Sequence, residues 1–415
     1  MKILWLTNVL PHFLAKKINE TTINNLGWLD YSAEMLTEKK DVELTIIFPS
    51  EKKLIGAVDK INYQSFPMEY RLQRNDAVLT EIFKDLLIKI QPDVIHIYGT
   101  EYYHTVAMAK ASKMLNMDSK TIISIQGLVS VYAHHFAAGL SDEIMKKYTF
   151  RDFIKHENIT EQKNAFVTRG MAEVEALQII DNVIGRTEWD KACTYQINPK
   201  RKYYFCNETL RKPFYDGIWS EEMCEKHSMF VSQSSYSIKA LHQVIEALPY
   251  VLRDFPDAKV YVTGVDILKR KWYRINSYHA YLRKRISQLN LQDKIIFLGS
   301  LNADEMKAYF IKCNVFLMPS SVENSPNSLG EAMILGVPSV VADVGGISSV
   351  FTHEKDGFLY PFDAPYMLAH YICRIFSEPQ TVGAFTEASR KHASHTHDPK
   401  KNADDLYDIY HSLLK

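Results

Sequence analysis

The chain has 415 residues, more than one hydrophobic core usually holds, so we expect at least two domains. Hydrophobic residues make up 46% and charged residues 24%, a balance that excludes an intrinsically disordered chain. The 49 Lys and Arg residues equal the 49 Asp and Glu residues, so no global positive field favours binding to nucleic acid.

The five cysteines are scattered and form no C-x-x-C pair, which favours a reducing compartment over a disulfide framework or a zinc site. The opening MKILWLTNVLPHFLA is interrupted by Thr7, Asn8 and Pro11 and has no basic n-region, so it favours a first strand over a signal peptide. No run reaches the roughly 18–20 apolar residues that cross a bilayer. The sequence therefore predicts a cytoplasmic protein that at most lies on a membrane face.

The first half alternates short apolar runs with helical patterns. Strands are expected at 2–8, 42–49, 94–99, 121–127, 182–187 and 202–206. Helices are expected between strands, including those at 27–40 and about 77–90. Runs of β-branched residues without alternation are typical of parallel strands covered by helices on both faces.

The same pattern restarts in the second half. Strands are expected at 229–233, 258–264, 294–300, 314–320 and 339–343. The stretch 239–255 keeps its apolar residues at helix spacing. Two blocks of strand–helix alternation predict an α/β protein with two doubly wound parallel-sheet domains that face each other. We place the domains at 1–208 and 209–398, since 207–228 lacks a regular period.

A predicted helix at 329–335 follows the strand that ends near Ser320, and both of its ends carry local signals. Gly336, with Pro338 beyond it, is typical of a helix C-terminus. Three polar residues are suited to cap the start: Ser325, Asn327 and Ser328. The first N–H groups of a helix bind anions such as a diphosphate. Ligands of open parallel sheets lie beyond the carboxyl ends of the strands, so we expect a site here, in the cleft between the domains.

Two glutamates flank the start of this helix with seven residues between them. Glu331 lies within the helix and is expected to accept hydrogen bonds from a vicinal diol such as ribose. Glu323, in the preceding loop, is expected to hold sugar hydroxyls further along the same ligand. The pattern suits a nucleoside diphosphate sugar, and the alternative is a capped helix with a coincidental glutamate.

The spacing E-x7-E, from Glu323 to Glu331, resembles the donor-site signature of family 4 retaining glycosyltransferases, which have the GT-B fold. The resemblance continues through GEAMILGVPSVVADVGG to EKDGFLYPFDA at 354–364. It covers the C-terminal half well and the N-terminal half more loosely. It implies two facing Rossmann-like domains with a cleft between them, the second of which binds the donor. It also implies that the amphipathic segment 399–415 returns to the first domain as a helix.

The resemblance implies roles for further residues at strand ends in the second domain. Lys239 corresponds to a basic residue that meets the donor diphosphate, and the alternative is a solvent-exposed lysine. Ser234 and Ser235 stand where the family often has an arginine, so one contact is missing or is replaced by a hydroxyl. Gly264 and Gly345 allow a ligand to approach the backbone closely, or simply make tight turns.

In the first domain the resemblance is looser. Gly27, a single glycine where the family has a glycine-rich loop, is expected near donor phosphate or acceptor, or at a plain helix start. Gln126 stands where relatives carry a histidine near the anomeric centre, and it cannot titrate. The acceptor is expected near 99–104. His134–His135 alone do not predict a metal site. Arg186 could reach a phosphate or form an ion pair with Glu188 or Asp190.

The stretch 268–289 concentrates lysines and arginines around Trp272 and several tyrosines. A solvated helix face and peripheral contact with anionic lipid at the inner membrane face are the two alternatives.

The resemblance implies a hexosyltransferase that moves a sugar from a nucleotide-diphosphate donor to the hydroxyl of a saccharide or lipid-linked saccharide, with retention of configuration. Lys239 and the amides of Asn327 and Ser328 would stabilise the departing diphosphate. No D-x-D signature follows a predicted strand convincingly, so no metal is expected, and no cofactor besides the donor substrate. Assembly of a surface polysaccharide or glycolipid is the expected pathway.

Two other interpretations remain open at this stage. One is a nucleotide-sugar epimerase or hydrolase on a related scaffold. The other is a binding protein that has lost catalysis, for which Gln126 and the Ser234–Ser235 pair are the support. A dehydrogenase is disfavoured because no G-x-G-x-x-G follows the first strand.

Overall fold

The structure is a computed structural model that describes residues 1–22, 27–71, 74 and 76–415. The chain divides into two compact units. The first comprises Met1–Val131, Phe166–Lys212 and Thr396–Lys415, and the second comprises Tyr132–Ala165 and Pro213–His395. The segment 132–165, which the sequence placed with the first domain, therefore groups with the second unit.

In the described residues of the first unit, eight strands form one sheet. Their bounds are β1 (Lys2–Leu6), β2 (Glu43–Ser50), β3 (Ile55–Val58), β4 (Ile61–Pro67), β5 (Val94–Tyr98), β6 (Thr121–Ser124), β7 (Asn182–Gly185) and β8 (Lys202–Phe205). The order across the sheet is β3-β4-β2-β1-β5-β6-β7-β8. The pairing is parallel except between β3 and β4, an edge hairpin that the sequence analysis did not predict.

Helices cover both faces of this sheet. Those wholly or partly in the first unit are α1 (His12–Lys17), α2 (Leu29–Glu38), α3 (Asp76–Ile90), α4 (Tyr103–Met114), α5 (Val129–His135), α8 (Ile159–Ile179), α9 (Glu188–Ile197) and α16 (Pro399–Leu413). Along β1, Leu4 and Leu6 join one buried cluster, whereas Ile3 and Trp5 join another. Successive strand residues point to opposite faces, so the uninterrupted apolar run reflects burial on both sides.

The second unit has its own sheet. Six strands are present in its described residues: β9 (Glu225–Val231), β10 (Lys259–Val262), β11 (Ile295–Phe297), β12 (Cys313–Met318), β13 (Ser339–Ala342) and β14 (Phe358–Tyr360). They are parallel in the order β11-β10-β9-β12-β13-β14. The prediction of an α/β fold with two parallel sheets is confirmed, and each predicted strand overlaps an observed one.

The helices wholly or largely in the second unit are α6 (Asp142–Lys146), α7 (Phe150–Lys155), α10 (Leu241–Asp254), α11 (Ser277–Gln288), α12 (Ala303–Lys312), α13 (Asn327–Leu335), α14 (Pro365–Ser377) and α15 (Pro379–Thr396). In the described part of the chain, no helix is both long enough and apolar enough to cross a bilayer.

The C-terminal helix α16 is attached to the first unit through one buried tyrosine. The Tyr410 hydroxyl accepts a hydrogen bond from Trp5 Nε1 at 2.9 Å and lies 2.6 Å from His96 Nδ1. The other ring nitrogen of His96 lies 2.7 Å from Ser124 Oγ. Burial lowers the pKa of His96 to about 3, so its ring is neutral at physiological pH. Three strands and the last helix thus share one polar network.

Replacing Tyr410 with phenylalanine is expected to lower the free energy of unfolding by about 1–3 kcal/mol, because buried groups on Trp5 and His96 lose their partner. Urea unfolding of the variant and of the wild type measures this loss. Tyr366→Phe is the control, since Tyr366 is 61% exposed. Equal stability of Y410F and wild type would show that the network contributes nothing.

Candidate functional site

The loops that follow β9 and β12, neighbouring strands of the second sheet, converge on a small cleft. Its lining residues are Val231, Ser232, Gln233, Lys239, Leu317, Met318, Pro319, Ser320, Glu323 and Ser328. The structure therefore brings together three of the residues that the sequence singled out, Lys239, Glu323 and Ser328, although 84 positions separate the first two.

Lys239 and Glu323 form an ion pair within this cleft. Lys239 Nζ lies 2.5 Å from Glu323 Oε1, and the two side chains are 17% and 8% exposed. Burial disfavours the charged lysine, but the neighbouring Glu323 outweighs that effect and raises the pKa of Lys239 above its usual value. Each charge is thus compensated by the other, and a ligand that binds here must offer both groups new partners.

The loops that carry these two residues are tied to each other and to the end of α5. Ser321 N donates to Ile238 O at 2.8 Å, and Ser321 Oγ donates to His135 O at 2.9 Å. Ser237 Oγ donates to Phe136 O. These bonds give a physical reason why the segment from Tyr132 onward groups with the second unit.

Gly345, after β13, fixes the backbone of Glu323. Its φ is +56°, and an added Cβ would lie 2.1 Å from Glu323 O. Gly346 N donates to the same carbonyl oxygen at 2.9 Å. The backbone that approaches Gly345 closely is therefore that of the Glu323 loop. This contact holds Glu323 in place.

Helix α13 begins at Asn327, two residues before the predicted start, and ends as expected before Gly336, which has a φ of +79°. The residue at the N-cap is Pro326, which makes no side-chain cap. The predicted capping by Ser325, Asn327 or Ser328 is therefore wrong, because the chain enters the helix through the proline. Leu329 N and Gly330 N both donate hydrogen bonds to Pro326 O, at 3.0 and 3.4 Å.

Glu331 and the two serines that follow β9, Ser234 and Ser235, differ in how exposed they are. Glu331 is 1% exposed within α13. Ser234 Oγ donates to Thr263 O at 2.8 Å, whereas Ser235 is exposed. Gly264 has a φ of +115°, and an added Cβ would lie 2.8 Å from Ser234 Oγ. Ser234 thus supports the backbone, and Ser235 is the hydroxyl that solvent or a ligand can reach.

In the first unit, Gln126 belongs to a charged network. Its Nε2 donates to Glu208 Oε1 at 2.5 Å, and Glu208 Oε2 lies 2.5 Å from Arg186 Nη1. Burial raises the pKa of Glu208, although Arg186 opposes the rise. Arg186 is 5% exposed, and its Nη2 donates to Ile125 O at 3.1 Å. Arg186 thus forms an ion pair with Glu208, where the sequence analysis had considered Glu188 or Asp190.

The loops after β1 and β5 also meet, through a residue that the sequence analysis missed. Asn8 Nδ2 donates to Glu101 Oε2 at 2.9 Å, and Asn8 Oδ1 lies 2.8 Å from His104 Nε2. Gly99 has a φ of +87°, and an added Cβ would lie 2.3 Å from Glu101 Oε2. The signal that could have found Asn8 is its position two residues after β1, at the same sheet edge.

Gly27 lies beside Arg211, because an added Cβ would be 3.1 Å from Arg211 Cγ. Residues 24–26, which precede Gly27 in the segment 24–30 that stands where the family has its glycine-rich loop, lie outside the described residues. His134 and His135 end α5, and no group of three His, Cys, Asp or Glu residues suited to a metal ion occurs in the described ranges.

A second residue that the sequence analysis missed is Glu173 on α8, which is 1% exposed. Its carboxylate accepts hydrogen bonds from Val129 N at 3.0 Å, from Ser130 N at 2.9 Å and from Thr100 Oγ1 at 2.5 Å. Glu173 therefore joins the loops that follow β5 and β6, near Gln126. Burial raises the pKa of Glu173 to about 7, and the hydrogen bonds, which favour the ionised carboxylate, offset only part of the rise.

This pKa predicts a pH dependence of stability. Relative to Glu173→Gln, the wild type should be most stable near the ordinary carboxyl pKa of 4.5 and below. Its advantage should decline by at most about 1.4 kcal/mol per pH unit as the pH rises to about 7, because ionisation is favoured in the unfolded chain. Urea unfolding of both proteins at several pH values tests this. A difference that grows with pH would show that the hydrogen bonds outweigh burial.

Part of the chain is similar in sequence to known glycosyltransferases. Residues 218–392 match the family model described as Glycosyl transferases group 1. An uncharacterized glycosyltransferase of Methanocaldococcus jannaschii is 30% identical over 155 residues, which are 37% of this chain and 36% of the relative. The putative glycosyltransferase YtcC of Bacillus subtilis is 29% identical over 184 residues, 42% and 43% of the two chains. The matched regions thus span less than half the length of these curated relatives.

Solved structures match over the whole chain. Sucrose-phosphate synthase from Thermosynechococcus elongatus has a TM-score of 0.71 at 15% identity, covering 100% of this chain and 99% of that one. HepE of Anabaena, in a complex with UDP-glucose, has a TM-score of 0.66 at 15% identity, covering 99% and 100%. At such identities the likeness concerns the fold. Residues 218–392 thus resemble a glycosyl transferases group 1 domain, and the chain has the GT-B fold of these neighbours.

Proposed function

We propose that the protein is a family 4 glycosyltransferase that transfers a hexosyl group from a nucleoside diphosphate sugar to an acceptor hydroxyl, with retention of anomeric configuration. The observation that carries the proposal is the buried ion pair of Lys239 and Glu323 beside the start of α13. Both residues lie within the matched family region, 218–392. HepE, whose fold is similar, was solved with UDP-glucose, which supports a nucleotide-sugar donor.

The donor diphosphate would replace Glu323 as the partner of Lys239. Lys239 and the first N–H groups of α13, at Asn327 and Ser328, would then stabilise the charge that develops on the departing diphosphate. Glu323, released from the lysine, would accept hydrogen bonds from hydroxyls of the donor sugar. Glu331 would hold the ribose, and Ser235 supplies a hydroxyl near the phosphates. The bond from the anomeric carbon to the diphosphate breaks as a bond to the acceptor oxygen forms, and the proton of the acceptor hydroxyl passes to the departing diphosphate.

We further propose that the acceptor is a saccharide or a lipid-linked saccharide in the assembly of a surface polysaccharide or glycolipid, in the cytoplasm. Two relatives support this pathway: the amylovoran biosynthesis glycosyltransferase AmsK of Erwinia amylovora and the putative colanic acid biosynthesis glycosyltransferase WcaL of Escherichia coli. Their identities to this chain are 28% over 164 residues and 29% over 149 residues.

A thermal-shift panel of UDP, GDP, ADP and their common sugars tests the donor assignment. Ligand at about 100 times its dissociation constant stabilises the protein by about 2.7 kcal/mol, so binding is visible. One nucleotide should shift the wild type and not Glu331→Ala. No shift with any nucleotide would contradict the proposal. Consumption of the identified donor without any acceptor would instead indicate an epimerase or a hydrolase.

Transfer is expected to proceed without an added metal ion, because Lys239 and helix amides can carry out the charge compensation that a cation provides elsewhere. Activity should be unchanged after dialysis against EDTA. Loss of activity that Mg²⁺ or Mn²⁺ restores would contradict this expectation.

A further inference from the structure

Two segments of the second unit form an exposed surface that combines aromatic and cationic side chains. One is 148–155, which includes α7, and the other is 269–274, between β10 and α11; we call them together the aromatic–basic surface. Phe153, Trp272 and Ile154 are 70%, 68% and 61% exposed. The rings of Phe150 and Trp272, one from each segment, are 5.6 Å apart. Large apolar side chains gathered in this way on a surface mark an interaction site.

Cations surround these apolar groups. The basic residues of the two segments are Arg151, Lys155, Lys269, Arg270, Lys271 and Arg274. Arg151 lies 2.7 Å from Glu157, and Lys269 lies 3.2 Å from Asp266. In the part of the chain that the structure describes, no carboxylate forms an ion pair with the other four. A cleft of about 460 Å³ between the segments is lined by Phe150, Arg151, Ile154, Lys155, Arg270, Tyr273 and Arg274.

Both segments are anchored to α11, so the surface has a defined shape. Asp152, whose side chain is fully buried, accepts a hydrogen bond from Ser277 N at 2.6 Å, at the start of that helix. Arg283 of α11 donates to Ile267 O at 2.7 Å and also to Arg270 O. Because hydrogen bonds hold both segments to α11, the aromatic side chains are exposed on a surface of defined shape.

The basic residues of the stretch 268–289 fall into two groups, those with partners inside the protein and exposed ones without a carboxylate partner. Arg283 and Arg285 on α11 have internal partners, the latter at 2.7 Å from Glu246. In the described residues, the exposed cations of this stretch that have no carboxylate partner are Lys271 and Arg274 in 269–274 and Lys284 on α11. The first two lie beside the segment 148–155, which the sequence analysis did not connect with 269–274.

We propose that the aromatic–basic surface docks on the face of a lipid bilayer that contains anionic lipids. Aromatic and aliphatic side chains partition into the interfacial layer of a membrane, and lysines and arginines are attracted to anionic headgroups. A second copy of the chain related by a two-fold axis would bring the same positive charge against this surface and would be repelled. Exposed aliphatic Ile154 beside the rings suits acyl chains better than nucleic acid bases. The proposal does not depend on the transferase activity.

Sedimentation of the full chain with vesicles tests the proposal directly. The protein should bind vesicles of phosphatidylcholine with phosphatidylglycerol, and not vesicles of phosphatidylcholine alone. Binding should be lost in about 1 M salt, where the screening length falls to about 3 Å. Equal binding to both vesicles, or binding to neither, would overturn the proposal.

Tryptophan emission gives a second readout. Trp5, Trp28 and Trp219 are buried, and Trp189 packs against the core of the first unit, so Trp272 alone among the five is highly exposed. Its emission should move to shorter wavelength with anionic vesicles. Trp272→Phe should abolish this change and still sediment with the vesicles. Sedimentation without any change in emission would mean that another surface binds.

The double charge reversal Lys155→Glu with Arg274→Glu should lower vesicle binding at least about 25-fold, since one cation near an anionic membrane is worth roughly fivefold. Phe153→Ser with Ile154→Ser should also lower it. The matched control for the charge reversal is Lys355→Glu with Lys391→Glu, because both lysines are exposed in the same unit. The control for the apolar pair is Met223→Ser, because Met223 is 64% exposed. All variants should unfold at the wild-type temperature. Equal effects of K155E/R274E and its control, or tighter binding to single-stranded DNA than to vesicles, would overturn the proposal.

Discussion

Lys239→Ala is expected to lower kcat/KM for sugar transfer by about 100-fold or more, because one preorganised group that stabilises developing charge contributes about two to three orders of magnitude. It should also lower stability. Glu323, with 8% of its side chain exposed, loses its partner at 2.5 Å. That cost should reach about 3 kcal/mol, the lower end for a buried pair, since Lys239 keeps 17% exposure.

The double variant Lys239→Ala with Glu323→Ala separates the two effects. It removes both charges, so it should recover part of the stability that Lys239→Ala loses, and the two substitutions should not be additive. Transfer should stay low, because the diphosphate still lacks its cation. Recovery of wild-type kcat/KM in the double variant would mean that the pair is purely structural. Lys355→Ala, on the surface of the same unit, is the control.

Gly345→Ala is expected to reduce stability by about 1–3 kcal/mol and kcat/KM by about 100-fold. The new Cβ would lie 2.1 Å from Glu323 O, and the φ of +56° suits glycine. Since the neighbour is backbone, the Glu323 loop must move, and a displacement of about 1 Å in a positioning group can cost 100-fold. Chemical denaturation and steady-state kinetics measure both effects.

Gly383→Ala is the matched control for this prediction. Gly383 lies within α15, and an added Cβ there meets nothing within 4 Å. Alanine in a helix interior is favoured over glycine by about 0.5–1 kcal/mol, so this variant should be slightly more stable and fully active. A Gly345→Ala protein with wild-type kcat/KM would show that the geometry of Glu323 is not set by this contact.

Much of the fold could be predicted from the sequence because the signals are local. Strand–helix alternation and uninterrupted apolar runs identify parallel strands with helices on both faces. The end of α13 before Gly336 also follows from nearby residues, and its start at Asn327 lies two residues before the predicted one. The hairpin of β3 and β4 was missed because β3 is a short edge strand that alternates between exposed and half-buried residues, and the middle of β4 is only half-buried and has no long apolar run.

The candidate site could be predicted in part. The spacing of Glu323 and Glu331 around a helix start is a local pattern, and so is Lys239 after a strand. Their roles were inferred by resemblance and remain predictions. Glu173 carried no local signal, and the position of Asn8 just after β1 was its only one, because what distinguishes both residues is contact with loops far along the chain.

The alternation of long apolar strands and helices, its order and the residues at the ends of those strands follow from the sequence alone, because covalent neighbours set periodicity. Only the tertiary structure decided which strand ends meet. Lys239 pairs with Glu323 because β9 lies beside β12. Gly345 holds Glu323 because the turn after β13 returns to that loop. The segment 148–155 joins 269–274 because Asp152 binds the start of α11. Such pairings depend on burial and strand order across the fold, which local sequence does not specify.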